Sequence, residues 1–480
     1  MSQLLVLSTY ELGTRPLGCT VPAALLSGAG HEVVAADLAL EDFPAAALAE
    51  TDGVVLSVPM HTAWRLGGDV LAAVRAARPD VPVFLHGLYA EAAASSAGSL
   101  LCPGDLAIAG EIAEALTTWA AELGRHRPPP ACRVELGPAR PAPRPPQRRS
   151  GLPGLAAYAR LRRDGEEHLV GTVEATTGCN HTCRHCPVPV VYAGRSRPVA
   201  PATVLAEIDQ LVAEGAAHIH FADPDFLNRP AHAREIAAAL HRAHPAVSFD
   251  ATVKVSHLLR DADHLGELAR HGLVFVTTAL ESTSDLVLER LDKGHTSAEA
   301  RHALRLLRSA GIEPRPSFLP FTPWTTPDDV IALFDFVAEE DLVWNVDPVQ
   351  FGIRLLLPPG SLLLRGDDPV LAASLLGPDP ANGGTAWRAG DRALDTCQVL
   401  LARGAEELET AGAAPPEAYA HLRALAHGAL GRSERGVPDV LVSGAPAGAT
   451  RPRLTETWFC CAEPTATQIA GVAPCGGGSS

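Results

Sequence analysis

The sequence predicts an α/β protein. It has a doubly wound parallel sheet at the amino end, a partial (β/α)6 barrel at the centre, and a helical extension ending in a flexible, cysteine-containing tail. Three observations predict it. Short apolar runs alternate with Ala/Leu-rich helical stretches through residues 1–124 and again, in longer units, through 155–364. Many of these runs are continuously apolar, the pattern of parallel strands buried on both faces. A proline- and arginine-dense stretch, 125–154, separates the two regions, and the strand signal stops after residue 364.

In the first region Leu4–Ser8, His31–Ala35, Gly53–Val58, Val81–Leu85 and Leu106–Ala109 read as strands, with helices at Pro22–Ser27, Trp64–Ala77 and Glu111–Leu123. Doubly wound sheets bind ligands past the carboxyl ends of their strands, here Glu11–Gly18, Ser57–His61, His86–Tyr89 and Gly110–Glu111. Proline at the density of 125–154 builds neither helix nor central strand, so this stretch reads as a semi-rigid linker. The second region offers strands at Leu169–Ala175, His218–Ala222, Val247–Thr252, Leu273–Leu280, Ile312–Leu319 and Asn345–Ile353. Helices fall between them at Pro201–Ala213, Ala231–His241, Asp263–Arg270, Ser297–Ser309 and Asp328–Glu339. Residues 365–435 read as helical, with Pro369–Leu376, Asp391–Ala411 and Pro416–Leu430 as the segments. Residues 436–480, rich in Gly, Pro, Ser and Thr, read as weakly ordered.

At 480 residues the chain is long enough for two or three domains. A net charge of −16 argues against a surface that coats nucleic acid or hugs a membrane. No apolar run approaches the ~18 residues of a membrane span. The first residues lack the basic stretch of a signal peptide, so a cytoplasmic location is expected. Ten cysteines are too sparse for a disulfide scaffold and favour metal or redox use. Of 39 basic residues only two are lysines, Lys254 and Lys293, and both lie in the central region.

Cys179, Cys183 and Cys186 form a C-x3-C-x2-C triplet on a loop just after the Leu169–Ala175 strand. Three thiolates on one loop can hold three irons of a cubane and leave the fourth open. A structural zinc site completed by His181 or His185 is the alternative, although neither paired C-x2-C knuckles nor a His-x3-5-His follows. Barrel folds place their chemistry at the carboxyl ends of their strands, where this triplet lies.

The triplet, its position and the β/α units around it resemble the radical SAM enzymes. The resemblance implies a [4Fe-4S] cluster on Cys179, Cys183 and Cys186, with S-adenosylmethionine (SAM) on the open iron, and a half-barrel open on one side. It departs from the family at His185, where an aromatic ring is usual, and at Phe221-Ala-Asp-Pro-Asp-Phe226, where Gly-Gly-Glu is usual. Asp223 and Asp225 are then the expected partners of the SAM amine, since carboxylates suit a cation. Glu281 and Ser282 resemble the Glu-Ser pair that contacts SAM, while Lys254 and Arg315 are expected at its carboxylate. An electron donor of the flavodoxin or ferredoxin type and a small-molecule substrate follow from the family, with no nucleic acid or membrane partner.

Two further resemblances lie at the ends. Thr14-Arg-Pro-Leu-Gly18 and Ile108-Ala-Gly-Glu111 resemble turns of the cobalamin-binding-like domain that precedes many such barrels, although the first loop lacks Asp-x-His-x-x-Gly. Cobalamin binding and a sheet kept only as a docking surface both stay open. At the other end, Trp458-Phe-Cys-Cys-Ala-Glu-Pro464 resembles the tail that names the CUAEP/CCAEP radical SAM (seleno)protein group. That tail implies a thiol, redox or substrate-handling role for Cys460 and Cys461. The expectation is a SAM-cleaving enzyme acting on a small molecule. A cobalamin-dependent methyltransferase and a non-catalytic iron–sulfur or thiol sensor are the alternatives. Cys19, Cys102 and Cys132 are too dispersed for the second cluster of a methylthiotransferase.

Overall fold

The structure is a computed structural model that describes residues 1–123, 130–135, 144–379, 384–433 and 451–457, with Ala462, Thr465 and Gln468 beyond these. Cys460 and Cys461 lie outside the described residues.

Six parallel strands build the amino-terminal sheet: β1 (Gln3–Ser8), β2 (Glu32–Asp37), β3 (Gly53–Ser57), β4 (Val83–His86), β5 (Leu106–Gly110) and β6 (Ala131–Glu135), in the order β2-β1-β3-β4-β5-β6. β3 and β4 are buried at every position, as runs of Val, Leu and Phe demand when helices cover both faces. One apolar cluster gathers Leu5, Leu56, Val70 and Leu85, and the other Val6, Val55, Phe84 and Leu116. β6 falls inside the stretch read as linker and pairs with β5 along its whole length. Past residue 143 that stretch packs tightly. Gln147 and Arg149 are buried, with Gln147 bonded to Glu207 and to Thr20, and Arg149 to Gln210. Together with the ion pair from Arg15 to Glu214 at 2.8 Å, they cement the sheet domain onto the Pro201–Ala213 helix of the barrel.

The central sheet begins with an antiparallel hairpin of β7 (Arg160–Arg163) and β8 (Glu166–Val173). A short pair, β9 (Thr176–Gly178) and β10 (Ser196–Pro198), brackets the cysteine loop. β11 (His218–Phe221), β12 (Ser248–Thr252), β13 (Leu273–Glu281) and β14 (Glu313–Phe318) continue in parallel from β8. Each is backed by a helix. Those at Ser297–Ser309 and Pro327–Glu339 begin with capping boxes at Thr296 and Thr326.

The sixth barrel strand expected at Asn345–Ile353 does not form. Pro348–Gly352 is a 3-10 helix, and only an isolated bridge joins Phe321 to Arg354. The cause lies next door. Pro314 and Pro316 deprive β14 of two backbone donors, so its edge cannot take a regular ladder. Side chains substitute: Asn345 donates to the Pro314 carbonyl at 2.7 Å, and Gln350 accepts from the Phe318 amide at 2.9 Å.

The carboxyl-terminal region is helical at Pro369–Ser374, Arg392–Thr410 and Pro415–Ala429, with a hairpin of β15 (Leu375–Asp379) and β16 (Gly384–Trp387) between the first two. Residues 451–457 then run across the side of the half-barrel. Arg451 bonds the Asp341 carbonyl and Asn345 near β14, and β17 (Arg453–Leu454) adds to β7. Leu454 packs on Leu161, Val170 and Phe275. The side expected to be open is therefore bridged by the chain's own tail. Among the described residues no helix is long and apolar enough to cross a membrane.

Candidate active site

The cysteine loop leaves β9 at Gly178, whose φ of +72° is open only to glycine without strain. A Cβ there would also lie 2.4 Å from the Arg195 carbonyl and 2.8 Å from the Tyr192 ring. Asn180 pins the loop to its surroundings. Its backbone amide and side-chain nitrogen donate to Asn228 at 3.0 and 2.9 Å, and its side-chain oxygen Oδ1 accepts from the Ser196 amide at 2.9 Å. Asn228 also accepts from the Cys179 thiol at 3.6 Å. At the far end the Arg184 amide bonds the Leu291 carbonyl, and the Cys186 amide the Cys183 carbonyl.

All three thiols are free, and Cys179 and Cys186 share one apolar group with Val188, Val191 and Tyr192 of the Pro187–Tyr192 helix. Leu88 and Ala109, from the carboxyl ends of β4 and β5, complete that group, so the loop is walled by both domains. A bond of 2.8 Å from Thr177 to Glu111 crosses the same seam. Burial pushes the Cys186 thiol up to about 12 and raises that of Cys179. Such thiols ionise next to a cation, which is what iron supplies. The donor set fits an iron–sulfur cluster. The two histidines of the zinc alternative turn elsewhere: His181 Nε2 lies 2.9 Å from His257, and His185 Nε2 lies 3.1 Å from Glu281.

The groups expected around SAM divide into three sets. Asp223 is buried and faces inward: its oxygens accept from the Ala175 amide at 2.9 Å and the Thr176 hydroxyl at 2.6 Å. Burial, eased by those bonds, leaves its carboxyl raised to about 6. Asp225 sits with His181 and His257, its carboxylate 2.8 Å from His257 Nδ1. Lys254 follows β12 at the start of the Val255–Arg260 helix and makes no ion pair among the described residues. This second set opens toward the cysteine loop, since His181 lies between Cys179 and Cys183.

The third set surrounds Glu281, at the end of β13 with φ +64°. Its Oε1 accepts from Lys293 at 3.1 Å and meets His185 at 3.1 Å. Burial disfavours its charge, yet Lys293 and His185 outweigh that and hold the carboxyl well below the usual carboxylate range. Ser282 closes the turn, its hydroxyl accepting from the Ser284 amide. Arg315, on β14, is buried and paired with both oxygens of Asp347 at 3.0 and 2.9 Å. Two groups here were not singled out from the sequence. Lys293 was noted only for its rarity, and Asp250, bridging His218 and His220 at 2.8 Å each, gave no signal at all.

Comparison with known proteins agrees with this geometry. Residues 173–337 match the family model of the Radical SAM superfamily. The anaerobic magnesium-protoporphyrin IX monomethyl ester cyclase of Synechocystis sp. is 25% identical over 179 residues, 37% of this chain and 34% of that protein. The tRNA-2-methylthio-N(6)-dimethylallyladenosine synthase of Haemophilus influenzae is 25% identical over 200 residues, 39% of this chain and 42% of that protein. The chain thus spans about a third to two fifths of the length of these curated relatives. Among solved structures, the radical SAM methyltransferase TsrM of Kitasatospora setae superposes with a TM-score of 0.57 at 20% identity, covering 76% of this chain and 75% of that one. The cobalamin-dependent SAM radical enzyme OxsB, with aqua-cobalamin bound, gives 0.65 at 14% identity, covering 90% and 72%. At such identities the likeness is one of fold, and it takes in both the amino-terminal sheet and the barrel. With its triplet of cysteines inside the matched segment, the chain is similar to the radical SAM superfamily over residues 173–337, and a doubly wound parallel sheet precedes that segment.

Proposed function

We propose that this protein is a radical SAM enzyme that acts on a small molecule held at the carboxyl ends of the barrel strands. The observation that carries the reading is the presence of Cys179, Cys183 and Cys186 on one braced, half-buried loop at that end of the barrel. When bound, a [4Fe-4S] cluster and SAM supply one-electron cleavage to methionine and a 5′-deoxyadenosyl radical. The protein's own groups do the rest. Lys254, free of ion pairs among the described residues, is the cation for the SAM carboxylate, and Asp225 the anion for its amine. Asp223 holds the β8–β9 turn, and Glu281 holds His185 and Lys293 beside the loop. Ser282 shapes the turn after Glu281, and Arg315 with Asp347 forms part of the barrel wall. Leu88, Ala109 and Tyr192 shield the loop from water, as a carbon radical requires.

The tail thiols, Cys460 and Cys461, are assigned to thiol or redox handling of the substrate. Support comes from their neighbour. Ala462 is buried, packs with the barrel core, and accepts a 3.0 Å bond from Thr62 of the amino-terminal domain. Electrons are expected from a flavodoxin or ferredoxin-type donor, and the −16 net charge disfavours a nucleic-acid substrate.

The test is anaerobic. The cluster is reconstituted, SAM and dithionite are added, and 5′-deoxyadenosine is quantified against a Cys179/Cys183/Cys186→Ala protein. Product that depends on the cluster supports the enzyme. A well-formed cluster that never cleaves SAM would overturn it and leave a redox sensor.

A further inference from the structure

In a doubly wound sheet the ligand crevice opens where the strand order reverses, and phosphates there lodge on the exposed amides of the following helix. In this chain the reversal lies between β1 and β3, because β2 pairs with one side of β1 and β3 with the other. The helix that follows is Leu17–Gly28. Its first amides are already taken. Glu11, on the loop after β1, accepts from the Leu17 amide at 2.7 Å through one oxygen and from the Gly18 amide at 2.9 Å through the other.

The space around that carboxylate is filled as well. The hydroxyls of Ser8 and Ser57, the last residues of β1 and β3, stand 3.4 and 3.5 Å from the same oxygen. His86, the last residue of β4, places Nε2 3.1 Å from the Gly18 carbonyl. A Cβ on Gly18 would lie 1.9 Å from the Ser57 hydroxyl and 2.4 Å from Glu11, so the glycine admits Ser57 and Glu11 and no larger group. Two strand ends and one helix end thus converge on the Glu11 carboxylate, and a third strand end, at His86, meets the Gly18 carbonyl beside it.

We propose that Glu11 is an internal replacement for a cofactor phosphate, and that the crevice of the amino-terminal sheet accordingly binds no phosphate-bearing cofactor, cobalamin included. OxsB and TsrM are described with cobalamin bound, and cobalamin carries a phosphate. A phosphate on the Leu17 and Gly18 amides would have to displace a carboxylate that already bonds both, or crowd against an acidic group in a half-buried space. Glu11 is half-buried, and desolvation raises its carboxyl to about 7 against the pull of the Gly18 and Leu17 amides. The likeness to cobalamin enzymes is then one of architecture, and the domain's remaining task is to wall the cysteine loop.

The experiment needs no SAM chemistry, so its failure is separate from that of the enzyme reading. Full-length protein is incubated anaerobically with excess hydroxocobalamin, desalted, and read by its visible spectrum. The expected result is no retained corrinoid. A stoichiometric amount carried through desalting would overturn the proposal. The second arm uses inorganic phosphate, against chloride at equal ionic strength, in thermal unfolding of the wild type and of Glu11→Ala. Phosphate should raise the midpoint of Glu11→Ala and leave the wild type unmoved. Equal shifts in the two proteins, or none in either, would show that Glu11 is not the group occupying a phosphate position.

Discussion

Replacing Lys293 by methionine tests the buried network that braces the cysteine loop. The Lys293 ammonium is only 4% exposed and lies 3.1 Å from a Glu281 carboxylate that is 12% exposed. Methionine fills much of the same volume, so packing is nearly conserved and the charge alone is removed. Glu281 is left with His185 as its other partner. Breaking a buried pair from one side typically costs about 3–5 kcal/mol, because the remaining charge is stranded in a low dielectric. For a domain of roughly 200 residues, each kcal/mol moves the unfolding midpoint by about 2–4 °C, so the expected fall is roughly 6–20 °C. The companion Lys293→Met/Glu281→Gln protein should recover most of the loss, since neither charge remains. pH adds a check. Burial opposes the Lys293 charge, but Glu281 and the nearby thiols outweigh it and raise the ammonium above its ordinary 10.5. Glu281 is held below its ordinary 4.5. The pair's stabilisation is therefore fully present between those two values. It is lost as pH falls through the folded carboxyl's value or rises through the folded ammonium's. Differential scanning fluorimetry at neutral pH is the assay. A cost under about 1 kcal/mol, the worth of a surface pair, would refute the network as a buried brace.

Three further outcomes are expected. Gly178→Ala forces a Cβ to 2.4 Å from the Arg195 carbonyl at a left-handed φ, so the protein should fold but bind less iron on reconstitution, measured as iron per chain. Glu11→Gln should flatten one limb of the stability curve. The folded carboxyl titrates near 7 and the unfolded one near 4.5, so the wild type holds its proton more tightly when folded and loses stability as pH rises through that window. The difference from Glu11→Gln should reach about 3 kcal/mol above pH 7, read by urea unfolding. Leu454→Asp places a charge on Leu161, Val170 and Phe275, which should free the tail strand from β7 and speed limited proteolysis between residues 451 and 457, read with a protease of broad specificity.

Legibility followed sequence distance. The parallel strands were readable because a strand buried on both faces must be apolar at every position, and β3 and β4 are. The cysteine triplet was readable because its three thiols lie within eight residues. The false sixth strand has the same local pattern as a true one. What defeats it is a pair of prolines in β14, some thirty residues earlier, which leave an edge that only the Asn345 and Gln350 side chains can satisfy. β6 was hidden for the opposite reason: in the sequence prolines flank its five residues on both sides and mask the strand signal. At the site, residue type was legible and partner was not. Asp223 and Glu281 are carboxylates at strand ends, as expected. Which cation or amide each meets depends on β-strand register and on loops up to 96 residues apart, which no spacing rule encodes.

The placement of the tail changes what the barrel's open side can mean. A sheet ordered β14-β13-β12-β11-β8-β7-β17 has two edges, and an unpaired edge is a liability as well as an entrance. Here Arg451 reaches Asp341 and Asn345 beside one edge while Arg453–Leu454 extends the other, so residues 451–457 bridge the gap. Thr455 pairs with Arg160 in both directions, at 2.8 and 2.9 Å, and the next residue, Glu456, packs against Gly13 of the amino-terminal domain. Ala462 reaches Thr62 of that domain as well. Glu456 and Ala462 thus both touch the amino-terminal domain, which through Leu88, Ala109 and Glu111 also walls the cysteine loop. This gives the amino-terminal sheet a reason to be retained that needs no cofactor: without it the cysteine loop loses one wall and the tail loses its anchor.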